Sequence, residues 1–403
     1  MDWPLMALLI VVGGFVPPQV WAVPGGAEIP EAERLSPLEV PHDFNPSAYT
    51  VRDGQLVVST DSAEVLLTLS APLQREIEAL LARYEVPAAG VVVMEPKTGK
   101  ILAYVNHQST SLVGVGDMVR SAEAPAASVF KIVTAAALID KGVLPSTEIC
   151  YGGGYHRLTG ADLKDDPRRD RACATFSDAM GQSINTIFAK LAVRHLDAER
   201  LKRYASAFGF GHRLPFDVPL QPSAIDIPVE ELEFARAAAG FWHTQLSPLH
   251  GALLAATVAN QGRMPRAHII QSVRYPCGEM AVLRDAAPFR AVISEDTART
   301  LAQMMTRTVS KGTAFRAFHD SEGKPFLPGI DVAGKTGSLS ASDPYRAYSW
   351  WVGFAPAEAP SYVISALIVN SPTWRIKASL VARESIRMAM QAQSGAALAS
   401  ANP

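Results

Sequence analysis

The chain has 403 residues, of which 48% are hydrophobic and 19% are charged. A chain of this length and apolar content can bury a large core in one or two domains, which excludes a mainly disordered protein. The 37 Lys and Arg nearly balance the 39 Asp and Glu, giving a formal net charge of −2, so a strongly basic nucleic-acid-binding protein is not expected.

The first 22 residues resemble a secretory signal peptide. Residues 5–16 form an apolar run that is too short to span a bilayer comfortably, and the residues that follow suit cleavage after Ala22. The usual basic residues ahead of the run are missing, since Arg34 is the first basic residue. An uncleaved membrane anchor is therefore the alternative. Either interpretation predicts export to the periplasm or to the outer face of the cytoplasmic membrane.

Hydrophobic patterning divides the remainder of the chain into three parts. Residues 23–60 are proline-rich and lack a sustained period, which predicts an extended linker. Residues 61–393 are predicted to form the folded domain. Residues 394–403, rich in alanine and serine, are predicted to be a flexible tail.

Periodicity also predicts the elements of the folded domain. In chain order they are a helix over 73–84, a hairpin with strands over 90–95 and 101–105, a buried helix over 128–139, helices over 177–196, 246–260 and 295–309, strands over 331–339, 347–354 and 361–369, and a closing helix over 378–391. Strands therefore come early and late, with helices between them. This order predicts a mixed α/β (α+β) fold with a central, mostly antiparallel five-stranded sheet covered by helices on both faces, and an all-helical subdomain in mid-chain.

The three cysteines show no metal-ligand spacing. Cys150 and Cys173 flank a stretch with three consecutive glycines and a charged run, and export would permit a disulfide that closes this loop. Three unrelated thiols fit the sequence equally well. Cys277 is unpaired in either case.

Three short motifs occur in a fixed order along the chain. They are Ser128-Val-Phe-Lys131, Ser183-Ile-Asn185 and Lys335-Thr336-Gly337. Together they form the Ser-x-x-Lys, Ser-x-Asn and Lys-Thr-Gly signature of penicillin-binding proteins and related β-lactamases.

Each motif alone is weak, because the chain contains a second copy of each. The second copies are Ser321 to Lys324, Ser400 to Asn402 and Lys97 to Gly99. They are predicted to lie in a loop, in the tail and in a hairpin turn, where backbone needs explain the residues. Only the first set is predicted to lie on elements that can hold its residues rigidly.

The residue types suit nucleophilic catalysis. A serine hydroxyl needs a base within hydrogen-bond reach, and Lys131 lies one helical turn after Ser128 on the same face. The neighbours of Lys131 are almost all apolar, so burial, together with a second cation at Lys335, would favour its neutral form. Taken singly, Ser128 could be a helix cap, Lys131 and Lys335 solvated lysines, and Ser183 and Asn185 an ordinary helix start. One shared site explains all five residues together.

The chain resembles the penicillin-binding transpeptidase family from about residue 67 to 391. Besides the three motifs, four segments resemble that family: residues 94–103, 244–250, 312–314 and 351–356. Ser247 and His250 depart from the family's Thr-Pro-Leu-Gln pattern within the second segment.

The resemblance implies a role for each motif residue. Ser128 would be the acylated nucleophile and Lys131 its general base. Ser183 would pass a proton to the leaving group, and Asn185 would hold the substrate backbone. Lys335 would be the fifth catalytic residue. The substrate-binding residues would be Thr336, Gly337 and Ser338, with the first of these and Lys335 binding the terminal carboxylate. The backbone N–H groups of Ser128 and Ser338 would form the oxyanion hole.

The implied activity is that of a serine D,D-transpeptidase on D-Ala-D-Ala peptidoglycan stem peptides, inhibited covalently by β-lactam antibiotics and needing no metal or cofactor. A D,D-carboxypeptidase or a serine β-lactamase of the same fold is the alternative. The Glu-x-x-x-Asn of class A β-lactamases is missing from residues 186–330, which disfavours the last. Too few residues precede Ser128 for a glycosyltransferase domain, so a separate glycosyltransferase is the expected partner, and nucleic acid is not.

Overall fold

The structure, a computed structural model, describes residues 40–109, 116–154, 157–282, 288–342 and 345–401. The predicted signal peptide or anchor, residues 1–22, lies outside the described residues, as does the first part of the predicted linker, up to residue 39. Among the helices that are described, none combines the length and apolar character that a membrane span requires.

The described chain has strands early and late, most of its helices between them with several short strands, and a long helix at its end. The strands are β1 (Thr50–Arg52), β2 (Gln55–Ser59), β3 (Glu64–Leu67), β4 (Ala88–Met94), β5 (Ile101–Gln108), β6 (Glu148–Tyr151), β7 (Ala172–Thr175), β8 (Arg263–Met264), β9 (Ile270–Arg274), β10 (Met280–Val282), β11 (Arg290–Ala291), β12 (Ala333–Ser342), β13 (Tyr345–Ala355) and β14 (Tyr362–Asn370). The α-helices are α1 (Ala71–Arg83), α2 (Lys131–Asp140), α3 (Phe176–Gln182), α4 (Asn185–His195), α5 (Ala198–Ala207), α6 (Glu231–Ala238), α7 (Pro248–Ala259), α8 (Glu295–Ser310), α9 (Phe315–Phe318) and α10 (Ala378–Ala401).

The predicted five-stranded sheet is confirmed. Its strand order is β12-β13-β14-β4-β5, and every neighbouring pair is antiparallel. Pairing of β14 with β4 joins the late strands to the early hairpin, with Val363 opposite Met94. Every residue of β4 and β14 is buried, as expected for inner strands that are covered on both faces.

Helices cover both faces of this sheet, as predicted. On one face α1 and α10 pack against each other and against β5 and β14. On the other face α7 crosses β4, β13 and β14, and nearly all of its residues are buried. The predicted cap of α7 is present, because the Ser247 hydroxyl accepts from the backbone N–H of His250 at 3.2 Å and Pro248 opens the first turn.

The prediction that residues 23–60 are only a linker is wrong for its last part. Strands β1 and β2 lie there and join β3, β9 and β10 in a second five-stranded sheet. Leu56 and Val58 of β2 are buried in the core. The sheet closes only when β3 pairs with β9, about 200 residues later in the chain, and a local reading of the sequence cannot detect such a pairing.

The middle of the chain is not all helical, which corrects a second prediction. Strands β6 and β7 form a hairpin in which Cys150 and Cys173 lie directly opposite each other and form a disulfide. This settles the question that the sequence left open, and Cys277 is a free, exposed thiol. At the other end of the chain α10 continues to Ala401, beyond the predicted end of the closing helix.

Candidate active site

The Ser-x-x-Lys motif begins in a short 3₁₀ turn, Ala127–Phe130, that leads directly into α2. The sheet holds the start of this turn, because the indole N–H of Trp350 on β13 donates to the carbonyl of Pro125 at 2.8 Å. The turn stacks Lys131 behind Ser128, with 2.8 Å between Nζ and Oγ. The amine and the hydroxyl are therefore within hydrogen-bond reach.

Lys131 is fully buried, and its amine contacts three oxygen atoms. Nζ lies 2.8 Å from the Ser128 hydroxyl, 2.7 Å from Oδ1 of Asn185 and 2.5 Å from the carbonyl oxygen of Ala239. A neutral amine has two hydrogens and one lone pair. Because the amide and carbonyl oxygens can only accept, they take the two hydrogens, and the lone pair faces the hydroxyl of Ser128.

The surroundings of Lys131 favour that neutral form. Burial lowers the pKa of Lys131 well below its ordinary value, and the positive charge of Lys335 lowers it further. The amine can therefore act as a proton acceptor at a pH where a solvated lysine cannot.

The Ser-x-Asn motif lies at a break between two helices, where the sequence predicts one helical region. Ser183 ends α3 in the left-handed conformation, with φ 58° and ψ 40°, and Asn185 begins α4. Because of this break, the side chains of the two residues contact different partners. Ser183 accepts from Nζ of Lys335 at 2.9 Å, whereas Asn185 accepts from Lys131. Ser183 thus contacts Lys335, and Asn185 contacts Lys131.

Lys335 lies on β12, the edge strand of the central sheet, and is also fully buried. Its Nζ donates to the Ser183 hydroxyl and, at 2.8 Å, to the carbonyl of Thr336. Burial lowers the pKa of Lys335 to about 7. The charge of this side chain therefore changes near neutral pH.

Neither of these two lysines has a carboxylate among the hydrogen-bond partners found in the described residues. Lys190 on α4 is equally buried, but its Nζ contacts Asp165 and Asp170. Buried charges in proteins are normally paired in this way. Lys131 and Lys335 instead each place a buried amine next to a serine hydroxyl. A role in function explains such an arrangement better than a contribution to stability does.

The three residues after Lys335 occupy different environments. The hydroxyl of Thr336 lies 2.5 Å from the hydroxyl of Thr313, and Ser338 is exposed. Gly337 packs against the 3₁₀ turn that carries Ser128, since a Cβ at this position would lie 3.2 Å from the side chains of Ala127 and Val129. A glycine therefore lets β12 approach the nucleophile without crowding these side chains.

The second copies of the motifs do not contact this site. Ser321 lies in an exposed turn. Thr98 lies in the turn between β4 and β5, where its hydroxyl donates to Glu95 at 2.9 Å. The third copy, residues 400–402, lies at the end of α10 and partly outside the described residues.

Sequence reasoning missed two backbone contributors to the site. The carbonyl of Ala239 accepts from Lys131, and Gly240 packs on the serine turn, where a Cβ would lie 2.4 Å from the carbonyl oxygen of Ala127. A main-chain carbonyl leaves no signature in a sequence. Thr313, the partner of Thr336, was noted only as part of a segment that resembles the family.

Comparison with known proteins agrees with this geometry. A family model described as "Penicillin binding protein transpeptidase domain" matches residues 89–391. The chain is 27% identical over 317 residues to peptidoglycan D,D-transpeptidase PbpA of Mycolicibacterium smegmatis, covering 69% of this chain and 61% of PbpA. It is 27% identical over 334 residues to stage V sporulation protein D of Bacillus subtilis, covering 77% of this chain and 50% of that protein. The chain thus spans between half and about three fifths of the length of these two relatives.

A solved structure shares the fold. The D,D-transpeptidase domain of a peptidoglycan glycosyltransferase from Eggerthella lenta superposes with a TM-score of 0.67 at 26% identity, covering 82% of this chain and 83% of that one. The family match extends over well more than half of the chain and includes all three motifs. The chain therefore belongs to the penicillin-binding protein transpeptidase domain family.

Proposed function

We propose that the protein is a serine D,D-transpeptidase that acts on D-Ala-D-Ala peptidoglycan stem peptides through an acyl-enzyme on Ser128. One observation carries the proposal: the buried amine of Lys131, with no carboxylate partner among the described residues, lies 2.8 Å from the Ser128 hydroxyl. The names of the relatives, which include peptidoglycan D,D-transpeptidases, support the same substrate class.

The first half-reaction follows from the contacts of Ser128. Lys131 takes the hydroxyl proton while Oγ attacks the carbonyl carbon between the two D-alanines. The backbone N–H groups of Ser128 and Ser338 would stabilise the oxyanion, and each such donor contributes roughly 3–4 kcal/mol. Ser183 would donate a proton to the leaving nitrogen and would receive a replacement proton from the amine of Lys335. D-alanine departs and an ester on Ser128 remains.

The second half-reaction reverses these steps with a new nucleophile. The amine of another stem attacks the ester carbonyl and gives up one proton to Ser183, which restores the proton of Lys335. Lys131 returns its proton to Oγ as the bond between Oγ and the carbonyl carbon breaks, and a crosslink forms. Lys335 and Thr336 would bind the terminal carboxylate of the donor peptide, because the Lys335 amine contacts the backbone carbonyl of Thr336 and the hydroxyl of Thr336 lies beside that of Thr313. Asn185 would hold the peptide backbone. No step requires a metal or another cofactor.

β-Lactam antibiotics are the proposed inhibitors, since opening of the strained ring by Ser128 gives an ester with no leaving group that diffuses away. If water replaces the amine in the second step, the enzyme is a D,D-carboxypeptidase. If water attacks the β-lactam ester rapidly, it is a β-lactamase. Rapid, continued turnover of a chromogenic cephalosporin would contradict the transpeptidase proposal.

We further propose that residues 61–393 form the catalytic domain and that the protein works outside the cytoplasm, where its substrate lies. The disulfide between Cys150 and Cys173 supports an oxidising compartment. A separate glycosyltransferase is the proposed source of the glycan strands. Polymerisation of lipid-linked disaccharide by the purified protein alone would contradict this last proposal.

Labelling with a fluorescent penicillin tests the nucleophile. We expect the wild type to form a denaturation-resistant adduct and Ser128→Ala to form none, because Oγ of Ser128 is the proposed nucleophile and the Lys131 amine lies 2.8 Å from it as its base. Ser321→Ala, at the second Ser-x-x-Lys copy, should label like the wild type. Loss of label in Ser321→Ala, or label retained in Ser128→Ala, would refute the assignment.

A further inference from the structure

One face of α4 binds the loop that the disulfide closes. We refer to the described residues between β6 and β7, 152–154 and 157–171, as the β6–β7 loop. Thr186, Lys190 and Arg194 are spaced four residues apart and therefore lie along one side of the helix. Each of the three side chains contacts the β6–β7 loop or its disulfide end.

Lys190 is the centre of this contact. Its side chain has no exposed surface, and its Nζ donates to the carbonyl of Cys150 at 3.0 Å, to Oδ1 of Asp165 at 3.1 Å and to Oδ2 of Asp170. Arg194 makes a second ion pair with Asp165. The disulfide end of the loop and its carboxylates are therefore fixed to the middle of α4.

The glycine end of the loop is fixed to the first turn of α4. The Thr186 hydroxyl donates to the carbonyl of Gly153 at 2.9 Å, and Nδ2 of Asn185 donates to the carbonyl of Gly154 at 3.3 Å. The fit is close, since a Cβ at Gly154 would lie 2.0 Å from Oγ1 of Thr186. A small shift of the loop would break these contacts.

The contact with Gly154 decides which way the Asn185 amide faces. A carbonyl can only accept, so it takes the NH₂ end of the amide and leaves the oxygen for Lys131, whose Nζ is 2.7 Å away. A flipped amide would set two oxygens against each other at Gly154 and would present hydrogens to the amine of Lys131. The loop therefore controls an oxygen that directs the lone pair of Lys131 toward Ser128.

We propose that Lys190 is a positioning residue for the acyl-transfer reaction, holding the β6–β7 loop so that Asn185 presents its oxygen to Lys131. The proposal rests on the proposed function. Stability alone is a weak explanation for the buried ion pair of Lys190 and Asp170, because desolvation offsets much of its attraction and apolar packing would stabilise the fold as well. Its directional contacts instead fix one geometry of the loop.

A double-mutant cycle tests the proposal. The measured quantity is the second-order rate constant for acylation by a fluorescent penicillin, corrected for the folded fraction. Lys190→Met with Asp170→Asn removes the cluster without leaving a buried unpaired charge. We expect this pair of changes to slow acylation about tenfold in the wild-type background and less than about twofold in an Asn185→Ala background.

Thr186→Val is a second, milder variant that keeps all charges in place. It should slow acylation about threefold, and again only when Asn185 is present. Lys202→Met, which removes a surface lysine from α5 with a single ion pair, should leave the rate unchanged. If the losses are the same with and without Asn185, the contact is only structural and the proposal is overturned.

The proposal and the proposed function fail in different ways. If the wild type forms no adduct on Ser128, the acyl-transfer function is wrong and the cycle cannot be read as positioning. If the wild type acylates normally while the Lys190 and Thr186 variants match it, the function stands and the positioning role is refuted.

Discussion

At the residue scale, the two lysines of the site, Lys131 and Lys335, have opposite requirements. Lys131 must be neutral to accept the proton of Ser128, whereas Lys335 must be charged to bind a carboxylate. Each charge affects the other group, because the charge of Lys335 contributes to the low pKa of Lys131. The pH dependence of acylation therefore reflects the protonation of both lysines together.

Replacing Lys335 by methionine should move the acidic limb of that pH dependence. Acylation rises with pH as Lys131 loses its proton, and removing the Lys335 charge removes one of the two causes that lower the pKa of Lys131. The limb should therefore shift to higher pH. The measurement is the second-order acylation rate constant against pH, which reports groups of the free enzyme. An acidic limb at the same pH in both proteins would contradict the coupling.

The alkaline limb of the pH dependence of acylation is tested with a second substrate as its control. For a penicillin with a free carboxylate, acylation by the wild type should fall as pH rises through about 7, because burial lowers the pKa of Lys335 to about 7 and its charge is then lost. The methyl ester of the same penicillin lacks the charge that Lys335 would bind. We expect its alkaline limb to be much shallower.

Sequence predicted the side chains of this site better than its main-chain atoms. Ser128 and Lys131 were identifiable because helical spacing places them on one face and apolar neighbours imply burial. The carbonyl of Ala239 could not be identified, since any residue provides one. The left-handed conformation of Ser183 was also missed, because the surrounding residues favour helix on both sides.

At the scale of elements, the same physical reason separates correct from missed predictions. Long periodic segments such as α8 and β14 were predicted within a few residues, since burial repeats along one element. Strands β1 and β2 were missed, because they are short and their sheet is completed only by the distant pairing of β3 with β9. Local patterning carries information about faces, but little about distant pairing.

The end of α6 packs against the 3₁₀ turn, Ala127–Phe130, that carries Ser128. Gly240, just past the helix, has φ +83°, and a Cβ there would lie 2.4 Å from the carbonyl oxygen of Ala127 and 3.0 Å from Cα of Ser128. Gly240→Ala should therefore displace Ser128 from Lys131. We expect acylation to slow by about 100-fold, since a 1 Å misplacement in an active site has effects of that size.

A matched variant separates crowding from backbone strain. Gly329 has a similar φ of +75° but nothing within 4 Å of the added Cβ. Gly329→Ala should lower stability by about 1 kcal/mol, as expected for a non-glycine residue with positive φ, and leave acylation unchanged. Equal acylation rates for Gly240→Ala and Gly329→Ala would refute the crowding argument.

At the scale of the whole molecule, the site joins two parts of the fold. The sheet provides Lys335, whereas the mid-chain helices provide Ser128 and Ser183. Helix α7 lies between the two parts and carries His250, which is fully buried. Its Nε2 donates to the carbonyl of Phe208 at 2.8 Å, so Nδ1 of the neutral ring accepts from the Ser223 hydroxyl at 2.7 Å.

This histidine predicts a loss of global stability in acid. Burial, and to a smaller extent the charge of Arg290, lowers the pKa of His250 from 6.5 to about 4. The unfolded chain therefore binds a proton near pH 6.5 while the folded protein does not, and the stability falls as pH drops from about 6.5 to about 4. At about 1.4 kcal/mol per pKa unit, the total loss is about 3 kcal/mol.

His250→Gln should remove this acid sensitivity, because glutamine can donate to Phe208 and accept from Ser223 without titrating. Urea unfolding at several pH values measures the effect, as the difference between wild type and variant. That difference should change by about 3 kcal/mol between pH 7 and pH 4 in favour of the variant. A difference that is constant with pH would mean that His250 is protonated in the folded protein, and that the junction between sheet and helices tolerates a buried charge.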